Sequence, residues 1–332
     1  MSHAPFSLAP DAQIVVTGSL AFDQIMVYPG HFKDHILPDK LHVISISFLV
    51  NDMRTQRGGC AGNIAYTLAL LEETPRIVAA AGEDFAGYRS WLEQHGVDTS
   101  GITVFDDVKT ACCHITTDKS DNQITGFFVG AMARAGALSL TTHMGDRAGV
   151  VIVAPDDPDA MLRHCHEARD SQLPFLFDPS FQVTAMDGAQ LTDCARGAAI
   201  VMMNDYEHGV FEKKTGHEGD AIFDLVDTVV VTLGGEGSRI LRRNHDPIEV
   251  PAVPIARFVD PTGAGDAYRA GFLAGLKRGY DLARCGRMGS VAAAYAVEQH
   301  GTQEHAYSRA AFDVRYAESF GAAPDDDTSA AR

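Results

Sequence analysis

Two aspartates, a threonine and two glycines fall within the seven residues Asp260-Pro-Thr-Gly-Ala-Gly-Asp266, which run into the helix-patterned, apolar Ala267–Lys277. Gly263 and Gly265 bracket Ala264, so the backbone can turn tightly and no large side chain blocks a close ligand. The first N–H groups of a helix lack internal acceptors and lie at the positive end of its dipole, which makes them an anion site. Asp266 follows in the first turn, placed to accept a proton from a group that attacks a cradled phosphate. An arbitrary Gly-Asp pair would more often be a cap. The density of the whole string favours a phosphate pocket with an adjoining base.

Other strings carry weaker chemistry of the same kind. Gly58-Gly59-Cys60-Ala61-Gly62-Asn63 precedes an apolar helix. Its paired glycines admit backbone approach to a polyhydroxylated ligand, and Asn63 can donate and accept; a plain turn is the bland alternative. Asn204-Asp205-Tyr206-Glu207 has the spacing of a capping box. Thr232-Leu-Gly-Gly-Glu-Gly-Ser238 reads as a Gly-rich strand-to-strand turn. No GxxxxGK[ST] string and no protein-kinase signature set is present, so those two phosphate machineries are not indicated.

Elements that could position these residues alternate along the chain. Strands are expected over Ile14–Thr17, Arg76–Ala80, Val150–Ala154, Phe175–Asp178, Ile200–Asn204 and Thr228–Leu233. Helices are expected over Ala61–Leu71, Tyr88–His95, Pro158–Arg169, Tyr206–Thr215, Ala267–Lys277 and Leu282–Gln299. Strands separated by helices favour an α/β, mostly parallel, doubly wound sheet, in which ligands bind beyond the carboxyl ends of strands. Asp178, Asn204 and Thr232 each fall at such an end. Residues 24–56 and 109–129 break the alternation, with strand-like His42–Phe48 and Ala111–Thr117, and could form a small antiparallel sheet or ordinary edge strands. The tail 322–332 has the composition of a disordered segment.

The 332 residues carry 27 Lys plus Arg against 44 Asp plus Glu, a formal charge of −17 that disfavours nonspecific binding to nucleic acid or anionic lipid. A nucleotide site must therefore be built locally, from backbone N–H groups and a bound cation. No apolar run has the length of a membrane span and no secretory leader is evident, so a cytoplasmic location is expected. The six cysteines form no CxxC pair and are too sparse for a disulfide scaffold. His164-Cys165-His166 lies in a helical stretch where adjacent residues point apart, which argues against a metal there.

The Asp260–Phe272 string closely resembles the C-terminal signature of the PfkB family, the ribokinase-like sugar and nucleoside kinases, and Gly58–Asn63 resembles its N-terminal signature. The resemblance covers nearly all of residues 13–310. It implies a Rossmann-like, ribokinase-like α/β domain over residues 1–321 with a β-sheet lid formed by the two segments at about 24–56 and 109–129. Asp266 would be the base, and Gly263, Ala264 and Gly265 would stabilise charge on the transferring group. Asp23, Gly58, Gly59 and Asn63 would hold the acceptor's sugar. Asn204 and Glu207 match the family's NxxE motif, acting around Mg²⁺ and the phosphates through water. Thr232, Gly234 and Gly237 match the loop on the ATP phosphates, and Asp260, Thr262 and Gly301 would lie near a monovalent cation such as potassium.

Asp121–Met132 and Phe177–Gln182 look like the prokaryotic adenosine and nucleoside kinase branch. Phe127, Phe128 and Phe181 could supply a stacking surface for a base and Gln182 a hydrogen-bonding amide, although any single phenylalanine could equally be core. Phe181 stands where relatives can carry a second glutamine, and Ala185 where some have an arginine. The resemblance implies ATP-dependent phosphorylation of a nucleoside 5′-hydroxyl, adenosine to AMP in purine salvage. Ribokinase or another sugar kinase is the runner-up, and a non-catalytic nucleotide-binding regulator the alternative of another class. An exposed lid edge could pair two subunits into a homodimer.

Overall fold

Gln13–Thr17 (β1) reads Gln-Ile-Val-Val-Thr and every residue of it is buried, as a strand covered on both faces requires. Ile14 and Val16 join one core cluster and Val15 another, so the two-residue period of the strand divides the helices into two layers. The structure, a computed structural model, describes residues 5–9, 11–35, 42–43, 45–120, 122–323 and 325.

The chain continues through β2 (Ala21–Val27), β3 (Asp52–Gly58), α1 (Cys60–Leu70), β4 (Arg76–Gly82), α2 (Ala86–Gln94), β5 (Ile102–Phe105), β6 (Ala111–Thr117) and β7 (Gln123–Phe128). Next come α3 (Leu140–His143), β8 (Ala148–Val153), α4 (Pro158–Asp170), β9 (Phe175–Phe177), α5 (Gly188–Ala195), β10 (Ile200–Asn204) and α6 (Asp205–Thr215). The last elements are β11 (Thr228–Thr232), β12 (Ser238–Arg242), β13 (Ile248–Val250), α7 (Ala264–Lys277), α8 (Leu282–Val297) and α9 (Arg309–Phe320).

Nine strands form the main sheet in the order β13-β12-β11-β10-β9-β8-β1-β4-β5, parallel except for the antiparallel pairs β11–β12 and β12–β13. Residues of α1, α2, α7, α8 and α9 cover one face, and those of α3, α4, α5 and α6 the other. The register sets strand ends side by side: Thr17 pairs with Val153, Val153 with Phe177, and Asn204 with Thr232. Asp178, Asn204 and Thr232 therefore share one edge of the sheet, beside the point where strand order reverses at β1. Close passage of α7 over α8 depends on small residues: a Cβ at Gly271 would lie 2.5 Å from the Met288 carbonyl oxygen.

A second sheet, β3-β2-β6-β7, forms the lid, with only β2–β6 parallel. β2 leaves the main sheet three residues after β1, and β3 re-enters through Gly58 and Gly59 into α1. One expected lid strand is absent. Ser45–Phe48 has no strand pairing, and Ile44 of the same string lies outside the described residues. Phe48 instead packs on Tyr28 and Phe32, with ring centroids 4.8 and 5.0 Å away, so its aromatic surface is buried without a ladder. Of the expected tail, Ala322, Ala323 and Asp325 are described and the remainder lies outside the described residues. No helix among the described residues is long and apolar enough to cross a membrane.

Candidate active site

The Asp260–Asp266 string ends in the first turn of α7, which begins at Ala264 rather than Ala267. Gly263 is its N-cap with φ of 80°, a left-handed conformation that side chains resist. Gly265 and Asp266 occupy the second and third helical positions, so their N–H groups have no intrahelical acceptor. Ala264 departs from expectation. Its N–H closes a turn onto the Pro261 carbonyl at 3.2 Å and so already has an acceptor in this conformation.

Asp266 is half-buried, and Asn63 in the first turn of α1 donates to its Oδ2 at 2.8 Å. Burial pushes the carboxyl above the usual carboxylate range; the Arg269 guanidinium, the Asn63 amide and the Cys60 thiol pull it back, and Glu207 adds repulsion. Arg269 stands one helical turn beyond Asp266 and is itself buried. Its guanidinium grips Asp178 through two contacts, one of them an Nη2–Oδ1 bond of 2.6 Å. The paired carboxylate holds the guanidinium protonated against the penalty of burial. A buried positive charge therefore lies beneath Asp266, paired with the Asp178 carboxylate.

Lid register places Asp23 and Phe127. Asp23 on β2 pairs laterally with Gln56 on β3 and Cys113 on β6, and Cys113 pairs with Phe127 on β7. Lateral neighbours share a face, so Asp23 and Phe127 point the same way two strands apart, roughly 10 Å. Phe128 pairs with Cys112, which pairs with Phe22, and so belongs to the opposite face. The stacking surface expected from Phe127 and Phe128 together is thus divided by the pleat. A Cβ at Gly301 would lie 2.7 Å from the Gln56 amide, which shows that the Asp23 face looks toward the main domain. Burial first, then the Asp260 carboxylate, push the Asp23 carboxyl up to about 6. Asp23 Oδ2 occupies the space a Cβ would need at Gly58, 2.7 Å away, and Gly59, at φ of 87°, has no room for one against the Ser19 carbonyl at 2.5 Å.

The remaining candidates divide into two groups. Asp260, Thr262 and Gly301 come together: Asp260 accepts from the Thr262 N–H at 2.9 Å and the Gly301 N–H at 3.1 Å. Burial works against that carboxylate, but bonds from the Thr262 hydroxyl and from both N–H groups bring it below the usual range. Asn204 and Glu207 form a closed capping box, each backbone N–H donating to the other's side chain at 2.8 Å. Glu207 Oε1 retains only a 3.4 Å contact with Ser180 Oγ. No group of three or more His, Cys, Asp or Glu residues able to hold a metal occurs among the described residues. Thr232 ends β11, and Gly234 and Gly237 flank a tight turn into β12, so the Gly-rich string is a hairpin whose exposed tip stands beside the strand ends. Gln182 is buried and donates to the Asp156 carbonyl at 2.6 Å, because a turn at Ser180–Val183 carries it inward. Phe127 and Phe181 remain about half exposed, at 48% and 52%.

Arg269, Gln303 and Tyr88 were not singled out from the sequence. Arg269 carries a local signal, its spacing of three from Asp266 on a helix. Gln303 and Tyr88 carry none: Gln303 reaches Asn63 and Tyr88 across more than two hundred residues of chain, at separations of 240 and 215, and Tyr88 reaches Gly58 across 30.

Residues 11–308 match the pfkB family carbohydrate kinase profile. The nucleoside kinase of Methanothermobacter thermautotrophicus is 32% identical over 299 residues, 89% of this chain and 93% of that protein. The structure of Burkholderia thailandensis nucleoside kinase in complex with inosine superposes with a TM-score of 0.83 at 36% identity, covering 93% of this chain and 99% of that one. Its ADP-inosine complex gives 0.81 at 38% identity, covering 94% and 97%. A family match across the sheet, the lid and both glycine signatures leaves one assignment: the chain belongs to the pfkB family of carbohydrate kinases.

Proposed function

We propose that this protein is an ATP-dependent nucleoside kinase that phosphorylates the 5′-hydroxyl, with adenosine as its leading acceptor. The observation that carries the reading is the pairing of a half-buried Asp266, held by an Asn63 N–H, with the outward N–H groups at the start of α7. The nucleoside oxygen forms a bond to the γ-phosphorus while the bond from that phosphorus to the β–γ bridging oxygen breaks. The hydroxyl proton passes to Asp266 Oδ, and ADP leaves with the electron pair of the broken bond. The N–H groups of Gly265 and Asp266 stabilise charge on the transferring group, and Arg269 keeps the surrounding field positive. Asp23 accepts from the sugar hydroxyls, and Phe127 on the same lid face covers the base.

Glu207 Oε1 has spare acceptor capacity while its other oxygen is fixed by the capping box, which suits a contact to magnesium through water. Mg²⁺ keeps several waters and enters on the phosphates, where it would neutralise their charge. Asp260, Thr262 and Gly301 form a polar turn that fits a monovalent ion beside the cradle. The exposed edge strand β7 is the surface a second copy would cover in a homodimer.

Adenosine rests on the Asp121–Met132 and Phe177–Gln182 strings. Inosine is the second reading, favoured by the inosine complexes of the Burkholderia relative. A phosphoryl-transfer screen over adenosine, inosine, cytidine, ribose and fructose, with products resolved by phosphorus NMR, tests both. Turnover should be greatest on adenosine with a 5′-monophosphate as product. Preference for ribose would establish the sugar kinase reading, and ATP binding without turnover on any acceptor would establish the regulator.

A further inference from the structure

Asn63 turns its amide nitrogen, not its oxygen, toward Asp266, and a residue 240 positions away fixes that choice. Gln303 Nε2 donates to Asn63 Oδ1 at 3.0 Å and also to the Tyr88 hydroxyl, which in turn donates to the Gly58 carbonyl at 2.9 Å. The links diverge from Gln303, which donates along one arm through Asn63 to Asp266 and along the other through Tyr88 to the Gly58 carbonyl at the start of the acceptor cradle. All three side chains are buried, Gln303 at only 2% exposure, so water cannot replace a lost partner. Helix α1 makes room for the chain at Gly62, where a Cβ would lie 2.0 Å from the Tyr88 hydroxyl and 3.1 Å from Gln303 Nε2. The loop holding Gln303 is pinned on both sides of the cradle: Gly301 donates to Asp260, and the Thr302 hydroxyl donates to the Arg57 carbonyl at 2.9 Å.

The two ends of an amide have opposite effects on a carboxyl group. An N–H stabilises the carboxylate, whereas a C=O stabilises the protonated acid. Reversing Asn63 would set its nitrogen against the Gln303 nitrogen, and reversing Gln303 alone would set two oxygens face to face. Gln303 Oε1 is meanwhile buried with no hydrogen-bond partner, so the present orientation is kept at a local cost.

We propose that Gln303 is a positioning residue for phosphoryl transfer: by holding Asn63 with its N–H toward Asp266, it keeps that group ready to take the acceptor's proton. The inference rests on Asp266 being the base. The other groups facing Asp266 are Arg269 on its own helix, Cys60 of α1 and Glu207 of α6, with Asp178 beyond Arg269. None of them bonds Gln303, so a change at Gln303 reaches Asp266 through Asn63.

The test is the pH dependence of kcat/KM for the nucleoside at saturating magnesium-ATP, in the full chain. Gln303→Met removes the constraint without adding charge and should move the acid limb up by about half to one pH unit, a roughly three- to tenfold loss on that limb. Gln303→Glu, which demands the Asn63 N–H for itself, should move it further, with the KM for ATP unchanged in both. An unmoved limb in Gln303→Met, even with a lower thermal midpoint, makes Gln303 merely structural and overturns the proposal. Should both variants fail to fold, the side-chain amide signals of the unaltered ¹⁵N-labelled protein decide. One asparagine pair must titrate with the kinetic limb, and its absence overturns the proposal. Asp266→Asn separates the two readings. If it keeps turnover and the limb, the base assignment itself has failed; if it loses both while Gln303→Met leaves the limb in place, only the positioning role has.

Discussion

The catalytic end of the main sheet and the face of the lid hold their functional groups by opposite means. Asp266 stands on two buried pairs, Asn63 held by Gln303 and Arg269 held by Asp178. Asp23 and Phe127 stand on a four-stranded sheet whose outer strand β7 is exposed along its whole length. Preorganised charge suits the group that must meet a transition state, because it costs no rearrangement at that moment. A surface short of its own partners suits the part that must close over a substrate and open again. On the proposed roles, the chemistry belongs to the buried region and the recognition to the exposed one.

Removing the base should give the largest effect. Asp266→Asn is expected to lower kcat by about 10²–10⁴-fold while nucleoside binding and the thermal midpoint hold; near-normal turnover in a stopped assay would dismiss it as the base. The buried pair of Arg269 and Asp178 is next. Arg269→Met leaves the buried Asp178 carboxyl without its partner, to take up a proton or stay charged in the interior, and urea denaturation should show a loss of about 3–5 kcal/mol. The double variant Arg269→Met/Asp178→Leu should recover most of it, and no recovery would mean that packing, not the unpaired charge, sets the loss.

On the lid, losses should appear in KM rather than in stability. Asp23→Ala is expected to raise the nucleoside KM by about ten- to a hundredfold, as loss of a charged hydrogen bond of about 1.5–3 kcal/mol implies, with ATP dependence unchanged. The same residue predicts a pH effect. Its carboxylate form binds hydroxyls, and its pKa in the free protein is about 6. Acceptor affinity is then full above that value and falls as pH drops through it, a dependence that Asp23→Ala should abolish. The smallest effect sharpens the face assignment: Phe127→Ala should raise nucleoside KM several-fold by loss of stacking worth about 1 kcal/mol, and Phe128→Ala should not. Equal effects would show that the lid register does not sort these rings.

Much of this was legible in the sequence because it is local. The six expected core strands and six expected helices form within three residues of their expected bounds, since each carries its own periodicity and caps, such as Asp157-Pro158 at the start of α4. The glycine strings were legible for the same reason. His42–Phe48 misled because alternation alone does not make a strand pair, and Phe48 packs in an aromatic cluster instead. Gln182 had the right type for a base contact, but the turn that directs it inward leaves no periodic trace. Gln303 was invisible. Its meaning lies in the direction of a hydrogen bond to a residue at the other end of the chain, and spacing within a segment cannot encode that.

The position of β1 has a consequence for how the chain is made. Gln13–Thr17 precedes both of its neighbours in the sheet, Arg76–Gly82 on one side and Ala148–Val153 on the other. Its slot is bounded on both sides only once Ala148–Val153 has been made, and until then a ribbon with the apolar centre Ile14-Val15-Val16 waits with at least one edge bare. Such late closure slows acquisition of the native topology and exposes nascent chains to mispairing. Expression at reduced temperature, or with abundant holdase, should therefore raise the yield of folded protein more than any surface substitution does.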